Sequence, residues 1–170
     1  MGRQALLHAH GLGAALLGLS LLYGTWAWHQ VRGCERAAQD SRPALRRLRL
    51  VYLCTAVPGS LLLLVSGTWL ICQHHGWAWA WSQPWLLAML GITLLEFTEG
   101  ITVTRAHLAR AMAGEPSAGD LAPHLDLPLF AAALWLGVTR PLELWPVLAA
   151  VLLALLAAGA MWMAARRGAF

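Results

Sequence analysis

Two glutamates, Glu96 and Glu99, interrupt an apolar stretch that is long enough to cross a membrane. Their i, i+3 spacing puts both carboxyl groups on one face of a helix, and Thr93 and Thr102 extend this polar stripe. Two carboxylates so close in a low-dielectric medium cannot both carry charge cheaply, so at least one should be protonated. Such a pair suits a proton relay, a metal ion or a small cation. The alternative is a structural pair bonded to Arg105, a threonine or a neighbouring backbone.

His124 and Asp126 form a second candidate group, at the start of a later apolar stretch. If that stretch packs antiparallel to the one that carries Glu96 and Glu99, the four side chains converge on one polar site within the membrane. The alternative is that His124 and Asp126 cap a helix, because an Asp with a proline two residues later is common at a helix start.

The other histidines indicate a metal or haem site more weakly. His8 lies near the outer end of the first apolar stretch and could be an axial haem ligand or a copper ligand, although solvation at the membrane surface explains it equally well. His8 and His10 are two residues apart and do not share a helix face, so they should not bind one metal together. His74 and His75 lie in a loop. The metal candidates are therefore His8, Glu96, Glu99 and His124, with haem or copper as the possible cofactors.

The composition indicates that the apolar stretches are membrane-spanning helices. Of 170 residues, 59% are hydrophobic and 12% are charged, against about 25% charged in soluble domains. All basic residues are arginines that cluster between apolar stretches, which is typical of topology signals rather than of a nucleic-acid surface. No nucleophilic triad, nucleotide loop or zinc-protease motif occurs, so an enzyme is not expected. Three cysteines show no metal-ligand spacing.

We expect an all-α bundle of five transmembrane helices, with four possible. The predicted spans are about 5–28, 50–72, 85–104, 121–139 and 145–164. Pro58-Gly59 predicts a kink in the second span. Thr139-Arg140-Pro141-Leu142-Glu143 divides the last apolar block in two, and without that division the final arginines would fall outside.

Six arginines between His29 and Arg49 mark a cytoplasmic loop, which places the N-terminus outside and the C-terminus inside. The alternating Trp77, Trp79 and Trp81 indicate an aromatic belt at the outer surface, with a short strand or a hydrophobic lid as alternatives. Small residues from Gly11 to Gly18 indicate a close helix–helix contact, either within the chain or in a homo-oligomer.

Three parts of the sequence resemble a family of uncharacterised bacterial integral membrane proteins. They are the stretch from Leu7 to Gly13, the pattern Pro58…Ser66-Gly67-Thr68-Trp69-Leu70, and Pro84-Trp85-Leu86. That family is loosely similar to the copper-resistance CopD membrane domain. The stretches 96–100 and 125–128 look like a subgroup signature. The resemblance implies the bundle architecture and, through CopD, copper, although no Met-rich or Cys motif accompanies it.

The sequence thus predicts a multi-pass protein of a bacterial inner membrane, in contact with the lipid bilayer and not with nucleic acid. Its buried polar site, built from Glu96 and Glu99 with His124 and Asp126, would take protons, a metal or a small cation. Two other hypotheses are a structural or assembly subunit of a larger membrane complex and a haem-binding redox protein that uses His8.

Overall fold

The structure, a computed structural model, describes residues 2–114 and 122–167, and within the helices it leaves out the side chains at 101, 107, 122–124, 165 and 166. Every regular element in those ranges is helical, which confirms the predicted all-α fold class. The helices are α1 (Arg3–Arg36), α2 (Arg42–Val51), α3 (Val57–His74), α4 (Gly76–Trp81), α5 (Pro84–Glu99), α6 (Arg105–Met112), α7 (Ala122–Thr139) and α8 (Leu144–Arg166).

Four long helices are apolar enough to cross a membrane. They are α1, the continuous helix Arg42–His74 built from α2 and α3, the continuous helix Pro84–Met112 built from α5 and α6, and Leu144–Ala164 within α8. The fifth predicted span coincides with α7, whose described apolar part, Leu125–Thr139, is shorter than these four. The structure therefore shows four candidate spans, and the crossing by α7 remains a prediction.

The helices continue past the predicted spans at the arginine-rich side. The segment from His29 to Arg49, expected as a loop, is helical except for residues 37–41. The reason is a narrow apolar stripe that packs between α1, α2 and α6 although the surrounding residues are polar. We call the resulting cluster the arginine-end core; its buried members are Ala27, Trp28, Val31, Leu45, Leu48, Leu108 and Ala111.

Helix α1 runs antiparallel to the second long helix at very close range. An added Cβ at Gly59 would lie 2.9 Å from the Leu17 backbone nitrogen, and one at Gly13 would lie 3.0 Å from the Gly59 carbonyl oxygen. Small residues allow helix backbones to approach in this way. The Gly11–Gly18 stretch therefore forms part of a close contact within the chain, as expected, and Gly18 lies against Phe130 of α7.

The other half of the bundle consists of α5, α7 and α8, whose contacts centre on Leu129, Leu136 and Val147. Helices α5 and α7 are antiparallel, because Arg140 at the end of α7 lies over the ring of Trp85 at the start of α5, 5.7 Å from its centroid. We call this side, with residues 76–85 and 139–145, the tryptophan end.

The connections at the tryptophan end are short. Residues 76–81 form the helix α4, so the alternative prediction of a strand there is wrong. The predicted division of the last apolar block is confirmed: α7 ends at Thr139, Arg140 adopts a positive φ of 48°, and α8 begins at Leu144. Pro141 contributes to this break because its ring disfavours the helical conformation of the preceding residue.

Two segments of π-helix interrupt the long helices. The first, Tyr52–Ala56, precedes Pro58, and the backbone N–H of Val57 bonds to the Tyr52 carbonyl five residues earlier. The irregularity expected at Pro58-Gly59 thus begins one turn earlier, as a wider turn in a continuous helix. The second π segment, Gly100–Thr104, follows Glu99 directly, and the sequence analysis does not anticipate it.

Candidate functional site

A cavity of about 70 Å³ lies inside the bundle, between α1, α7 and the two long helices that contain the π segments. It has room for a few water molecules, since a cavity volume of roughly 10–15 Å³ on this measure holds one. Its walls are largely apolar, from residues such as Leu17, Ala56 and Leu108. The polar residues among those walls are Ser20, Thr25, Tyr52, Ser60, Glu96, Glu99, Thr104 and Asp126.

Three carboxyl groups line this one cavity. Glu96 and Glu99 come from α5, and Asp126 comes from α7. The Glu96 Oε1 atom is buried and has no hydrogen-bond partner among the described residues. The antiparallel packing of α5 and α7 at short range explains why Asp126 reaches the glutamates. These three predicted site residues therefore share one cavity.

The second π segment adds Thr104 to the group. The Thr104 hydroxyl lies 2.8 Å from Glu99 Oε1 and 3.0 Å from Oε2, and it donates to this carboxyl group. In an α-helix of 3.6 residues per turn, positions 99 and 104 would point about 140° apart. The wider π turn, with its i to i+5 bonds, brings them to the same side.

Thr93 and Thr102, which were expected to extend the polar stripe, do not line the cavity. Each donates its hydroxyl hydrogen to the carbonyl four residues earlier on its own helix, Thr93 to Met89 at 2.8 Å and Thr102 to Thr98 at 2.6 Å. The π segment changes the helical spacing after Glu99 and so moves Thr102 off the expected stripe. Thr93 precedes that segment on α5, and its hydroxyl is bonded within its own helix.

Tyr52 and Gly100 join the two π segments across the cavity. An added Cβ at Gly100 would overlap the Tyr52 hydroxyl oxygen, so only glycine leaves space for this phenol. Tyr52 and Thr104 were not predicted as site residues. For Tyr52, the available signal was a tyrosine in an otherwise apolar span. For Thr104, the signal was Gly100 directly after Glu99, which indicates an unusual backbone.

No basic side chain is among the described residues that line the cavity. Arg105, a predicted partner of the glutamates, is exposed at the start of α6 and is not part of the lining. The side chain of His124 lies outside the described part of the structure. Since the chain contains no lysine, a counter-charge for the carboxyl groups has few possible sources.

The two N-terminal histidines have different surroundings. His8 is exposed, whereas His10 is half-buried and its Nδ1 lies 3.1 Å from the Ser66 hydroxyl oxygen. Because the Ser66 hydroxyl donates to the Leu62 carbonyl, it accepts the bond from His10. This pair joins α1 to α3 away from the cavity.

The described residues do not assemble a group of three metal ligands. Within residues 2–114 and 122–167, no three His, Cys, Asp or Glu side chains come close enough together to hold a metal ion. His8 is exposed, and His10 is engaged by Ser66. The donor set needed for a redox metal is therefore not assembled by this part of the chain.

Residues 4–153 match a protein family described as predicted integral membrane protein (DUF2269). The chain belongs to this family. The match covers α1 from its second residue, α2 to α7 and the first part of α8, which agrees with the four long apolar helices. No curated protein and no solved structure gives a significant match.

Proposed function

We propose that this member of the integral membrane protein family binds and transfers protons at Glu96, Glu99 and Asp126. The observation that supports the proposal is the shared cavity, which three carboxyl groups line without a basic side chain among the described lining residues. Ionised carboxylates in such surroundings are very costly, so the groups must be neutralised.

Protons are the simplest means of neutralisation. A protonated carboxyl group gains a donor and can bond to a neighbouring carboxyl oxygen, for which the partnerless Glu96 Oε1 is a ready acceptor. The cavity has room for water to bridge groups that are not in direct contact. Protons can then pass between α5 and α7 by short steps.

Copper is less compatible with this arrangement, because divalent transition metals need several ligand atoms at short distances from one centre. The spread of the carboxyl groups over two helices, with no metal-binding group of three among described residues, suits protons better. The further parts of the proposal are that α7 is a fifth span, that the N-terminus lies outside, and that the membrane is a bacterial inner membrane. The arginine clusters support this orientation.

The test is infrared spectroscopy of the purified protein in lipid nanodiscs at neutral pH. A protonated carboxyl group absorbs at a C=O stretch frequency that a carboxylate lacks, and the band shifts in heavy water. We expect this band in the native protein. It should weaken in Glu96→Gln and disappear in the triple variant Glu96→Gln, Glu99→Gln, Asp126→Asn.

The matched control is Glu143→Gln. Glu143 is exposed at the tryptophan end and its carboxyl oxygen accepts a bond from the Trp145 indole at 2.9 Å, so its replacement should leave the band unchanged. A native spectrum without the protonated band, or one that all three cavity substitutions leave intact, would overturn the proposed proton site.

A further inference from the structure

We propose that the cavity is a binding site for a small ammonium-type cation, either ammonium itself or methylammonium, which exchanges with a proton. This inference rests on the proposed function, because the same carboxyl groups hold the proton in the unliganded state. It goes further by naming the chemical class of the ligand.

Two acceptors in the cavity wall support a ligand rather than a purely structural cluster. Glu96 Oε1 is buried without a hydrogen-bond partner. Asp126 is half-buried in the wall of the same cavity, and its carboxyl group has no hydrogen bond to another described residue. Buried polar groups are nearly always hydrogen-bonded. Acceptors left open on two facing helices indicate a donor from outside the chain.

The spacing of the acceptors favours N–H donors over a metal ion. No three acidic, histidine or cysteine side chains of the described part are close enough to coordinate one metal. An N–H group needs only one acceptor, at about 2.7–3.2 Å, and an ammonium ion carries four such groups in different directions. Acceptors that come from two helices around one cavity therefore suit it well.

The size and the aromatic walls of the cavity agree with this class. A volume of about 70 Å³ admits an ion as small as a water molecule, or one with a single methyl group. Trp28, Tyr52 and Phe97 also line it. Aromatic faces attract cations by their quadrupole and are common in ammonium sites.

Charge and atoms balance in the exchange. One protonated carboxyl group releases its proton to the solution, and the resulting carboxylate accepts an N–H bond from the incoming cation. The cavity keeps the same net charge, and no bond other than the O–H bond is broken. Binding should therefore release one proton for each cation bound.

The experiment is calorimetric titration of the nanodisc-embedded protein with ammonium and methylammonium chloride, with proton release followed by a dye in weak buffer. Sodium chloride controls for charge and tetramethylammonium chloride for size. We expect saturable binding of the first two salts only. Asp126→Asn should weaken it by about tenfold or more, because a hydrogen bond to a charged acceptor is lost, and Glu143→Gln should not change it.

Saturable sodium binding, equal binding of tetramethylammonium, or no heat beyond dilution with either small ammonium salt would each overturn this inference. The infrared band separates these failures from that of the proton site. If the protonated band is present but ammonium does not bind, the proposed function stands and the ligand class is wrong. If both are absent, both fail.

Discussion

Gly100 and Tyr52 form the most constrained side-chain contact of the cavity. The phenol from one π segment occupies the space where a Cβ at position 100 would be, and Gly100 is buried. The absence of one methyl group thus lets the two long helices approach at the site. The same approach keeps Tyr52 in the wall beside Glu99.

Replacement of Gly100 by alanine should therefore destabilise the protein by about 1–3 kcal/mol, because overpacking forces neighbours to move. Gly91→Ala is the matched control: it lies on α5 with nothing within 4 Å of an added Cβ, so alanine should be neutral or slightly stabilising. Thermal unfolding in detergent, followed by circular dichroism, measures both.

A second variant tests whether the contact with the Tyr52 hydroxyl causes the loss of stability in Gly100→Ala. Removal of the phenol hydroxyl in Tyr52→Phe takes away the atom that an alanine at position 100 would overlap, so Tyr52→Phe combined with Gly100→Ala should recover most of the lost stability. A double variant as unstable as the sum of the two single ones would mean that the contact is not the cause.

The acidic residues of the site could be recognised from the sequence, whereas their partners could not. Glu96, Glu99 and Asp126 are conspicuous because charge in an apolar stretch is costly. Thr104 was hidden, since α-helical periodicity puts it on the wrong side of the helix and only the π segment reverses this. Arg105 was expected at the site because it is close in sequence, yet it is exposed.

Among the helices, α1 and α3 depend on glycine for their contact. Gly13 and Gly59 bring the two backbones together, and the His10–Ser66 hydrogen bond joins the same helices about two turns further along α3. In lipid, no hydrophobic force drives helices together, so close packing and polar bonds must do it.

We expect Gly59→Ala to separate these helices and to cost about 1–3 kcal/mol, since its Cβ would press on backbone atoms that cannot rotate away. Gly11→Ala, on the same helix as Gly13 but with open space around it, should have no such cost. Unfolding by increasing amounts of sodium dodecyl sulfate compares them. Equal stability of the two variants would contradict a tight α1–α3 contact.

Hydropathy does not predict the ends of the helices. The predicted spans end where the run of apolar residues ends, but α1 continues to Arg36 and α2 begins at Arg42. Leu45 and Leu48, at i, i+3 spacing, are enough to fix a turn of helix against Trp28 and Val31. By contrast, the break at Thr139–Glu143 was predictable, because proline and two charges together interrupt any apolar helix.

At the scale of the molecule, most basic residues lie at one end and most tryptophans at the other. Most arginines lie in or next to the arginine-end core, whereas Trp77, Trp81 and Trp145 are exposed at the other end. Composition alone was sufficient to predict the membrane and the all-α class. It could not predict the cavity, which depends on how four helices pack.

The orientation can be tested with single cysteines in a background without the three native ones. Ser82→Cys lies at the tryptophan end and Gln39→Cys between α1 and α2, and both positions are exposed. A membrane-impermeant maleimide added to intact cells should label Ser82→Cys only, and a permeant one should label both. The reverse pattern would invert the proposed topology.

The arginine-end core has a consequence for the solvent accessibility of the backbone. At 1.5 Å per residue, α1 is about 51 Å long, well beyond a hydrocarbon layer of about 30 Å. Part of the bundle therefore extends into water while it remains packed around Val31 and Leu45, which are 0% exposed. In hydrogen–deuterium exchange, backbone amides of the arginine-end core should exchange slowly although no lipid covers them. Their slow exchange should persist after transfer of the protein from bilayer to detergent.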